Sequence, residues 1–304
     1  LYESKSGERG IFNRRSAQEK AAQNGRRISD INFGTNPCSE IILRPNQFCN
    51  LTEVVCRPAD DKNILARKIR VATLLGTIQS TLTNFGYLRK RWLDNTAEER
   101  LLGVSLTGIM DCKLLNFSPL TLNYSAQITY LADTLNYLRN VAVTTNKKWS
   151  EKLGINQATA ITCVKPSGTV SQLVDSASGI HTRHAPYYIR TVRADVKDPI
   201  TIFMKEHGIP NEPDLMSPEH TTVFSFPIKA NTNSKFRNDL NAVQQLEIWK
   251  TYAEHWCEHK PSVTVSVKEN EWIEVGAWCW KNFDHLSGVS FLPYSDHTYK
   301  QAPY

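Results

Sequence analysis

Short apolar runs alternate with long helical patterns along most of this chain, and this alternation constrains the fold more than any other feature. Apolar residues recur every three or four positions over residues 63–84 and 125–150, which predicts two long helices with one buried face each. A third helix is predicted at 240–259. Apolar runs with the length of strands occur at 48–56, 161–165, 187–193, 222–228, 262–267 and 287–292. Repeated alternation of strand and helix favours an α/β fold with largely parallel strands.

The sequence between these elements predicts one further helix start and no linker between domains. Thr96-Ala97-Glu98-Glu99 has the spacing of a capping box, which predicts the start of a helix just before the apolar run at 101–109. No internal repeat, low-complexity tract or obvious linker interrupts the chain. We therefore expect a single domain over residues 1–304.

Composition excludes several classes of protein. The longest apolar run falls short of the roughly 18 residues that a membrane helix needs, so no membrane association is predicted. Seven cysteines at irregular spacings do not form a secreted disulfide framework, which favours the cytoplasm. The net charge of +6 is mild, and the basic clusters at 26–27 and 89–91 lack a recognition motif, so no nucleic acid is expected as a partner. The chain opens at Leu1 without Met, which is typical of a piece of something longer.

The most informative stretch is Asn36-Pro37-Cys38-Ser39-Glu40. Pro37 disfavours helical geometry at Asn36 and leaves Cys38 on an irregular, stiffened loop. Such a loop can hold a thiol and a carboxylate against one small substrate. Cys49, eleven residues after Cys38, enters a strand that could face the same site. From the spacing alone, a loop with one buried thiol is the alternative.

A second candidate site is Pro166-Ser167-Gly168-Thr169-Val170-Ser171. An apolar strand, a turn of small residues and a helix start follow one another here, an arrangement in which free backbone N–H groups bind phosphate. Gly168 permits close approach of the backbone, and three hydroxyl groups surround it. The spacing of a Walker A loop is missing. An ordinary capped helix start remains the alternative.

The histidines give weaker signals. His255 and His259 share a face of the predicted helix, but no second ligand cluster accompanies them and no metal site is predicted. His181 and His184 are interpreted as loop residues without partners. Either could serve a nucleophilic Cys38 as a base in a hydrolase, but Glu40 beside the thiol would raise the pKa of Cys38 and disfavour the thiolate.

These segments together resemble the catalytic chain of ribonucleotide reductase, most nearly the adenosylcobalamin-dependent class II enzymes. The matching segments occur in order along nearly the whole chain: residues 7–11 (GERGI), 36–41 (NPCSEI), 49–51 (CNL), 103–105 (GVS), 165–170 (KPSGTV), 178–181 (SGIH), 226–230 (FPIKA), 292–294 (LPY) and 301–303 (QAP). The resemblance implies a ten-stranded α/β barrel of two halves with a central finger loop. This chain would be the second half-barrel, with the finger loop at about residues 33–45.

The resemblance also implies a role for each site residue. Cys38 would carry the thiyl radical that abstracts the C3′ hydrogen of a ribonucleoside di- or triphosphate. Glu40 would accept the proton of the 3′-hydroxyl, and Asn36 would hydrogen-bond the ribose hydroxyls. Cys49 would belong to the reducing dithiol, and residues 166–171 would hold the phosphates. Adenosylcobalamin is the implied cofactor, and a thioredoxin-type protein is the implied reductant.

Some parts of the family's machinery are expected to lie outside this chain. The partner of Cys49 belongs to the first strand of the first, N-terminal half-barrel, and the C-terminal redox tail carries a further cysteine pair. A fragment or split subunit, inactive until paired with the missing half, is therefore one alternative. A class I large subunit is another, but residues 290–294 (SFLPY) lack the paired tyrosine of that class, which favours class II.

Overall fold

The structure is a computed structural model that describes residues 10–116, 124–294 and Gln301. The sequence segments 7–9 and 302–303 used above lie outside the described residues. The helices are α1 (Arg14–Ala22), α2 (Lys62–Gln79), α3 (Lys90–Glu99), α4 (Tyr124–Leu153), α5 (Thr169–Leu173), α6 (Pro199–Glu206), α7 (Ala242–His255) and α8 (Trp272–Lys281). The strands are β1 (Gly10–Phe12), β2 (Gly34–Thr35), β3 (Ile42–Leu43), β4 (Asn50–Val55), β5 (Leu102–Thr107), β6 (Thr162–Cys163), β7 (Tyr187–Asp195), β8 (Asn211–Pro213), β9 (Thr221–Lys229), β10 (Val263–Val267) and β11 (Ser287–Pro293).

Contacts divide the chain into two compact units. The larger comprises Leu1–Thr182 and Asn233–Tyr294, and the smaller comprises Arg183–Thr232 and Ser295–Tyr304. The single domain expected for residues 1–304 stays a prediction. Among the described residues, no helix combines the length and apolarity that a membrane span requires.

Parallel strands form the centre of the larger unit. β4, β5 and β6 pair in that order, all parallel. β10 pairs parallel with β11, whose other edge carries β1 in antiparallel orientation. A parallel bridge between Val164 and Pro261 connects the end of β6 to the segment that leads into β10. The predicted α/β fold with parallel strands is therefore confirmed for this unit.

The two faces of β5 differ in chemistry. Leu102, Val104 and Leu106 point into the main hydrophobic core, where α2, α4 and α7 also bury their apolar faces. The alternate residues are small or polar, as the two-residue period of a strand allows. An added Cβ at Gly103 would lie 2.4 Å from Leu51 Cδ2, 3.1 Å from Ile41 Cδ1 and 3.4 Å from Cys163 Sγ. This second face therefore packs against the segment that contains Cys38 and Glu40.

Helix α2 covers the apolar face of β5 because its sequence supplies both an N-terminal capping residue and a row of apolar side chains along one face. The Asp61 carboxylate accepts hydrogen bonds from the N–H groups of Asn63 and Ile64, each at 2.8 Å, and thereby satisfies two of the free donors at the start of the helix. Gly76 lies where the helix packs on the sheet, and an added Cβ there would be in ordinary van der Waals contact with Thr52 at 3.5 Å and Leu102 at 3.6 Å. The helix predicted at 63–84 ends at Gln79.

Three aromatic side chains of the α7 region tie this helix to the strands. Trp249 Nε1 donates to Pro261 O at 2.8 Å, and Trp256 Nε1 donates to Cys163 O at 2.8 Å. The Tyr252 hydroxyl donates to Leu115 O at 3.1 Å. All three rings are completely buried, so each polar atom has found a partner, as burial requires.

The capping-box prediction at Thr96–Glu99 is wrong. These residues end α3, and Arg100 closes the helix in the left-handed conformation with φ of 47°. Thr96 Oγ1 accepts a hydrogen bond from Phe48 N at 3.2 Å instead of capping its own helix. The run that follows is the strand β5, buried along its whole length. A central parallel strand is covered on both faces and therefore reads as a continuous apolar run, which the sequence cannot distinguish from a buried helix.

The smaller unit is organised differently from the parallel strands. β7 and β9 pair antiparallel from Tyr187↔Lys229 to Asp195↔Thr221, and β8 pairs antiparallel with the other edge of β9. The strands predicted at 187–193 and 222–228 are confirmed, but they are not part of the parallel set. The exposed and half-buried residues of β7 alternate over its first half, as is typical of an antiparallel sheet with one exposed face, whereas β9, the central strand, has three consecutive buried residues at 222–224.

A buried ion pair near the start of β4 gives a test of this fold. Arg27 donates to both carboxylate oxygens of Glu99, at 3.0 and 2.9 Å, and both side chains are almost fully buried. Arg27→Met leaves the buried Glu99 carboxylate with the neutral amide of Gln47, whose Nε2 donates to Glu99 Oε2 at 2.5 Å, and with the guanidinium of Arg44, 3.9 Å away. We expect a loss of about 3–5 kcal/mol in the free energy of unfolding, measured by urea denaturation.

The exposed pair between Arg15 and Glu19 is the matched control, with 82% and 51% of the side chains accessible. Arg15→Met should change the free energy of unfolding by less than about 1 kcal/mol. Equal effects of the two substitutions would contradict the structural role given to Arg27.

Candidate active site

A hairpin presents Cys38 at its tip. β2 and β3 pair antiparallel with Gly34 opposite Leu43 and Thr35 opposite Ile42. Between them, Ser39 N donates to Asn36 O at 2.9 Å and Ile41 N donates to Asn36 Oδ1 at 3.0 Å. The Asn36 side chain thus organises the turn, and its Nδ2 group has no hydrogen-bond partner among the described residues.

A glycine on β11 allows the tip to reach its position. An added Cβ at Gly288 would lie 2.5 Å from Ser39 Cβ and 2.8 Å from Ser39 O. Gly288 also has φ of +79°, a conformation that favours glycine. Ser39 itself has φ of 65°, which turns the chain sharply between Cys38 and Glu40. Nothing in the local sequence distinguishes Gly288 from the other glycines, so its contact with Ser39 is not predictable from the sequence.

The turn separates the environments of Cys38 and Glu40. Cys38 is exposed, whereas Glu40 has 0% of its surface accessible. Neither carboxylate oxygen of Glu40 has a hydrogen-bond partner among the described residues. A buried, unpartnered carboxylate costs several kcal/mol, and such groups mark places where a ligand completes the hydrogen bonding. The spacing of the motif predicted a carboxylate here, but not its complete burial.

The charge of Glu40 acts on both thiols. Burial and then Glu40 raise the pKa of Cys38, while the Lys165 ammonium group lowers it. Burial and then Glu40 also raise the pKa of Cys49 well above its ordinary value. Both thiols therefore keep their S–H hydrogen at neutral pH. This environment suits hydrogen-atom chemistry better than nucleophilic attack, which needs a thiolate.

Residues 166–171 form a tight loop that exposes its middle. Gly168, Thr169 and Val170 are exposed, whereas Ser167 and Ser171 are buried. The Ser171 hydroxyl donates to Ser167 O and to Gly168 O, and the Ser178 hydroxyl donates to Ser167 O at 2.8 Å. Two of the three hydroxyl groups offered by the sequence thus lie inside the structure: Ser171 Oγ organises the loop, and Ser167 Oγ has no partner among the described residues.

Lys165 directly precedes this loop and acts on Cys38 of the hairpin, a role that its position in the sequence does not predict. Its backbone N–H donates to Ser105 Oγ at 2.8 Å, which fixes it to β5. Its ammonium group lies close enough to Cys38 to lower the pKa of that thiol. A positively charged residue that directly precedes the loop predicted to bind phosphate therefore also acts on the thiol.

Strand register adds a row of residues beside the site. Glu53, Ser105 and Cys163 face one another across β4, β5 and β6. Burial raises the pKa of Cys163 well above its ordinary value, and the charges of Glu40 and Glu53 add to the rise. Glu53 Oε1 is buried and has no partner among the described residues. Glu53 follows Cys49 by four residues. Because alternate residues of a strand share a face, this even spacing could have predicted that Glu53 lies on the same face as Cys49.

The structure corrects the interpretation of two histidines. His181 is not without partners: its ring contacts Ser178 O at 3.1 Å and accepts from Thr264 N at 3.1 Å. His259 lies beyond the end of α7 and not on it, with both ring nitrogens in hydrogen bonds. Within the described part of the chain, no group of three or more His, Cys, Asp or Glu residues could hold a metal ion.

Comparison with known proteins defines the class to which this architecture corresponds. No family model matches the chain. Among solved structures, a B-12 dependent (class II) ribonucleotide reductase superposes with a TM-score of 0.74 at 26% identity, covering 89% of this chain and 40% of that one. The class Id ribonucleotide reductase alpha subunit of Actinobacillus ureae has a TM-score of 0.60 at 11% identity, with 96% and 59% covered, and shows the fold alone. The fold is that of ribonucleotide reductase catalytic chains.

Sequence comparison narrows this class. The adenosylcobalamin-dependent ribonucleoside-triphosphate reductase of Lactobacillus acidophilus is 28% identical over 298 residues, which covers 91% of this chain and 39% of that protein. The enzyme of the same name from Lacticaseibacillus paracasei is 26% identical over 325 residues, covering 98% and 42%. The resemblance inferred from the motifs is confirmed. The chain spans about 39% of the length of the curated relatives it matches.

The electrostatic link between Glu40 and Cys38 gives a prediction that needs no substrate. Glu40→Gln removes the carboxylate charge and should lower the pKa of Cys38, so that more thiolate is present at pH 8. We expect alkylation of Cys38 by iodoacetamide to become several-fold faster, measured by mass spectrometry of the Cys38 peptide.

Two variants serve as controls for this measurement. Lys165→Met removes a positive charge and should slow the alkylation of Cys38. Glu53→Gln should leave the rate unchanged, since Glu53 is not among the groups that shift the pKa of Cys38. An unchanged rate in Glu40→Gln would mean that the carboxylate does not lie near the thiol.

Proposed function

We propose that this chain provides the catalytic residues of an adenosylcobalamin-dependent ribonucleotide reductase, which reduces ribonucleotides to deoxyribonucleotides for DNA synthesis. The observation that carries the proposal is the buried, unpartnered carboxylate of Glu40, whose charge acts on the thiols of both Cys38 and Cys49. The relatives are named ribonucleoside-triphosphate reductases, which favours a ribonucleoside triphosphate over a diphosphate as substrate. We place the reaction in the cytoplasm, with no nucleic acid and no membrane as partner.

The proposed fold is the second half of a ten-stranded α/β barrel, with residues 33–45 as its finger loop. The parallel pairings and the Val164–Pro261 bridge support a strand order of β4-β5-β6-β10-β11. The packing of Ile41 against Gly103 and of Ser39 against Gly288 supports a hairpin inside the curve of these strands. The other half-barrel would come from residues outside this chain.

Each site residue has a chemical task in this proposal. Adenosylcobalamin, when bound, supplies the initiating radical, and the exposure of the Cys38 thiol fits a residue that must be reached by it. The Cys38 thiyl radical takes the hydrogen atom from C3′ of the ribose. Glu40 accepts the proton of the 3′-hydroxyl as the 2′-hydroxyl leaves as water. The free Nδ2 group of Asn36 donates to a ribose hydroxyl.

The reducing electrons come from thiols. Cys49 and a cysteine outside this chain together give two electrons and two protons and become a disulfide. A thioredoxin-type protein then reduces this disulfide, through the cysteine pair of a C-terminal tail. The need for a second cysteine outside this chain supports the alternative hypothesis that the chain is a fragment or split subunit, which turns over only with its missing N-terminal half. The greater similarity to a class II structure favours class II over a class I large subunit.

The role of Cys38 is tested by Cys38→Ser in a complete catalytic chain. Deoxynucleotide formation should be abolished, because a serine O–H bond is too strong to pass its hydrogen atom to the initiating radical. Nucleotide binding should be nearly unchanged. Cys279→Ser, which alters a buried thiol of α8, is the control and should retain turnover. Measurable deoxynucleotide formation by Cys38→Ser would remove Cys38 from this role.

The phosphate loop is tested by calorimetry with a nucleoside triphosphate and with the matching nucleoside. An added Cβ at Gly168 would meet nothing within 4 Å, so Gly168→Val should fold normally and act only on a ligand that approaches the backbone. We expect triphosphate binding to weaken at least tenfold, about 1.4 kcal/mol, with nucleoside binding unchanged.

Ser171→Ala is the comparison within the same loop. It removes hydrogen bonds that Ser171 makes to the backbone and should cost about 0.5–1.5 kcal/mol of loop stability, with a smaller effect on binding than Gly168→Val. Equal affinity of the wild-type protein for nucleoside and triphosphate would mean that the phosphates bind elsewhere.

A further inference from the structure

His259 is a completely buried histidine that the proposed chemistry does not use. Its Nε2 atom lies 3.0 Å from Leu102 O, and its Nδ1 atom lies 3.3 Å from Ile42 N. A carbonyl oxygen can only accept and an amide N–H can only donate. His259 is therefore the neutral tautomer with its proton on Nε2, and it joins the hairpin strand β3 to the central strand β5.

The backbone around His259 is held rigidly against β6. The N–H groups of Glu258 and His259 donate to Thr162 O at 3.1 and 2.9 Å. Val164 N donates to Lys260 O at 3.2 Å, and Ser262 N donates to Val164 O at 2.8 Å. The segment 258–262 thus runs along β6 as a fixed support, and burial keeps the His259 ring neutral by lowering its pKa to about 3.

This support holds the backbone on both sides of the Glu40 side chain. Lys260 N donates to Glu40 O at 2.9 Å, Asn36 Oδ1 accepts from Ile41 N, and His259 Nδ1 accepts from Ile42 N. The Glu40 carboxylate has no hydrogen bonds to described residues of its own. Its position is therefore set by the backbone of residues 40–42 and by packing.

We infer that His259 is a positioning residue for Glu40, acting through the hydrogen bond from Ile42 N to His259 Nδ1. The catalytic consequence rests on the function proposed above, whereas the structural link does not. A carboxylate that must meet one ribose hydroxyl needs a fixed position, and here the fixed position comes from a histidine that never touches the substrate.

Two substitutions of His259 test its two hydrogen bonds one at a time, because each keeps one bond and removes the other. Asn places its side-chain oxygen near the position of Nδ1, so His259→Asn keeps an acceptor for Ile42 N and loses the contact with Leu102 O. Gln places its amide nitrogen near the position of Nε2, so His259→Gln keeps the contact with Leu102 O and loses the acceptor. His255→Gln, which alters a ring that contacts Asn136, is the control.

The first measurement uses the alkylation of Cys38 and does not depend on turnover. Glu40→Gln should accelerate alkylation several-fold in the wild-type and His259→Asn backgrounds, because Glu40 remains near the thiol. The acceleration should fall below twofold in His259→Gln, where Glu40 is no longer held. Such non-additivity is the signature of coupled residues. Full acceleration in the His259→Gln background overturns the proposal.

The second measurement uses turnover of a complete catalytic chain. We expect kcat to fall at least tenfold in His259→Gln with KM for the ribonucleotide unchanged, and to stay within threefold of wild type in His259→Asn and His255→Gln. Equal kcat values for the two His259 variants overturn the proposal. A chain that makes no deoxynucleotide at all, but shows the predicted alkylation pattern, contradicts the proposed function and leaves the positioning role standing.

If His259→Gln does not fold, the wild-type protein provides the test. Nitrogen-15 NMR of the histidine rings should show His259 with its proton on Nε2 and a lone pair on Nδ1 that accepts a hydrogen bond. A proton on Nδ1, or a doubly protonated ring at neutral pH, overturns the proposal.

Discussion

The unequal faces of β5 organise the larger unit. One face presents leucine and valine side chains that α2, α4 and α7 cover, and this burial is the main stabilising contribution. The other face carries Gly103, Ser105 and Thr107, and the lack of a side chain at Gly103 leaves room for Ile41, next to β3 of the hairpin. A single larger side chain at Gly103 would collide with Leu51 and Ile41. The strand therefore both carries the core and admits the segment on which the candidate chemistry depends.

The hairpin places the carboxylate of Glu40 in a buried environment, where a carboxylate without hydrogen bonds destabilises the folded protein. Burying the Glu40 carboxylate without hydrogen bonds opposes folding, and the surrounding backbone contacts from Asn36, His259 and Lys260 hold it there. Burial raises the pKa of the Cys38 and Cys49 thiols, and the charge of the same carboxylate adds to both shifts. One buried group thus influences both thiols, and a ligand that donates hydrogen bonds, such as one with hydroxyl groups, would complete its hydrogen bonding.

The structure gives the predicted site residues their environments and adds contacts that only packing creates. Cys38, Glu40 and Cys49 were brought together on motif spacing, and the charge of Glu40 acts on both thiols in the structure. The loop at 166–171 was predicted with three available hydroxyl groups, but Ser167 and Ser171 are buried. Lys165, Gly288 and His259 were not assigned to the site, because each contributes through a contact with a residue far away in sequence. The helix start predicted at Thr96–Glu99 is wrong for the same reason. The apolar run that follows is a strand because it pairs with β4 and β6, which are distant in sequence.

The sequence by itself determined the alternation of strands and helices, the thiol and carboxylate on a stiffened turn, and the resemblance to a family of enzymes. These features are local: apolar period, proline geometry and motif spacing act within a few residues. Only the tertiary structure decided that Glu40 is buried and unpartnered, that Gly288 receives the turn, and that His259 holds it. Burial and hydrogen bonding at these positions depend on residues that are far apart in the sequence, such as Ser39 and Gly288, which are separated by 249 positions. The residues near each position therefore do not determine which distant segment will pack against it.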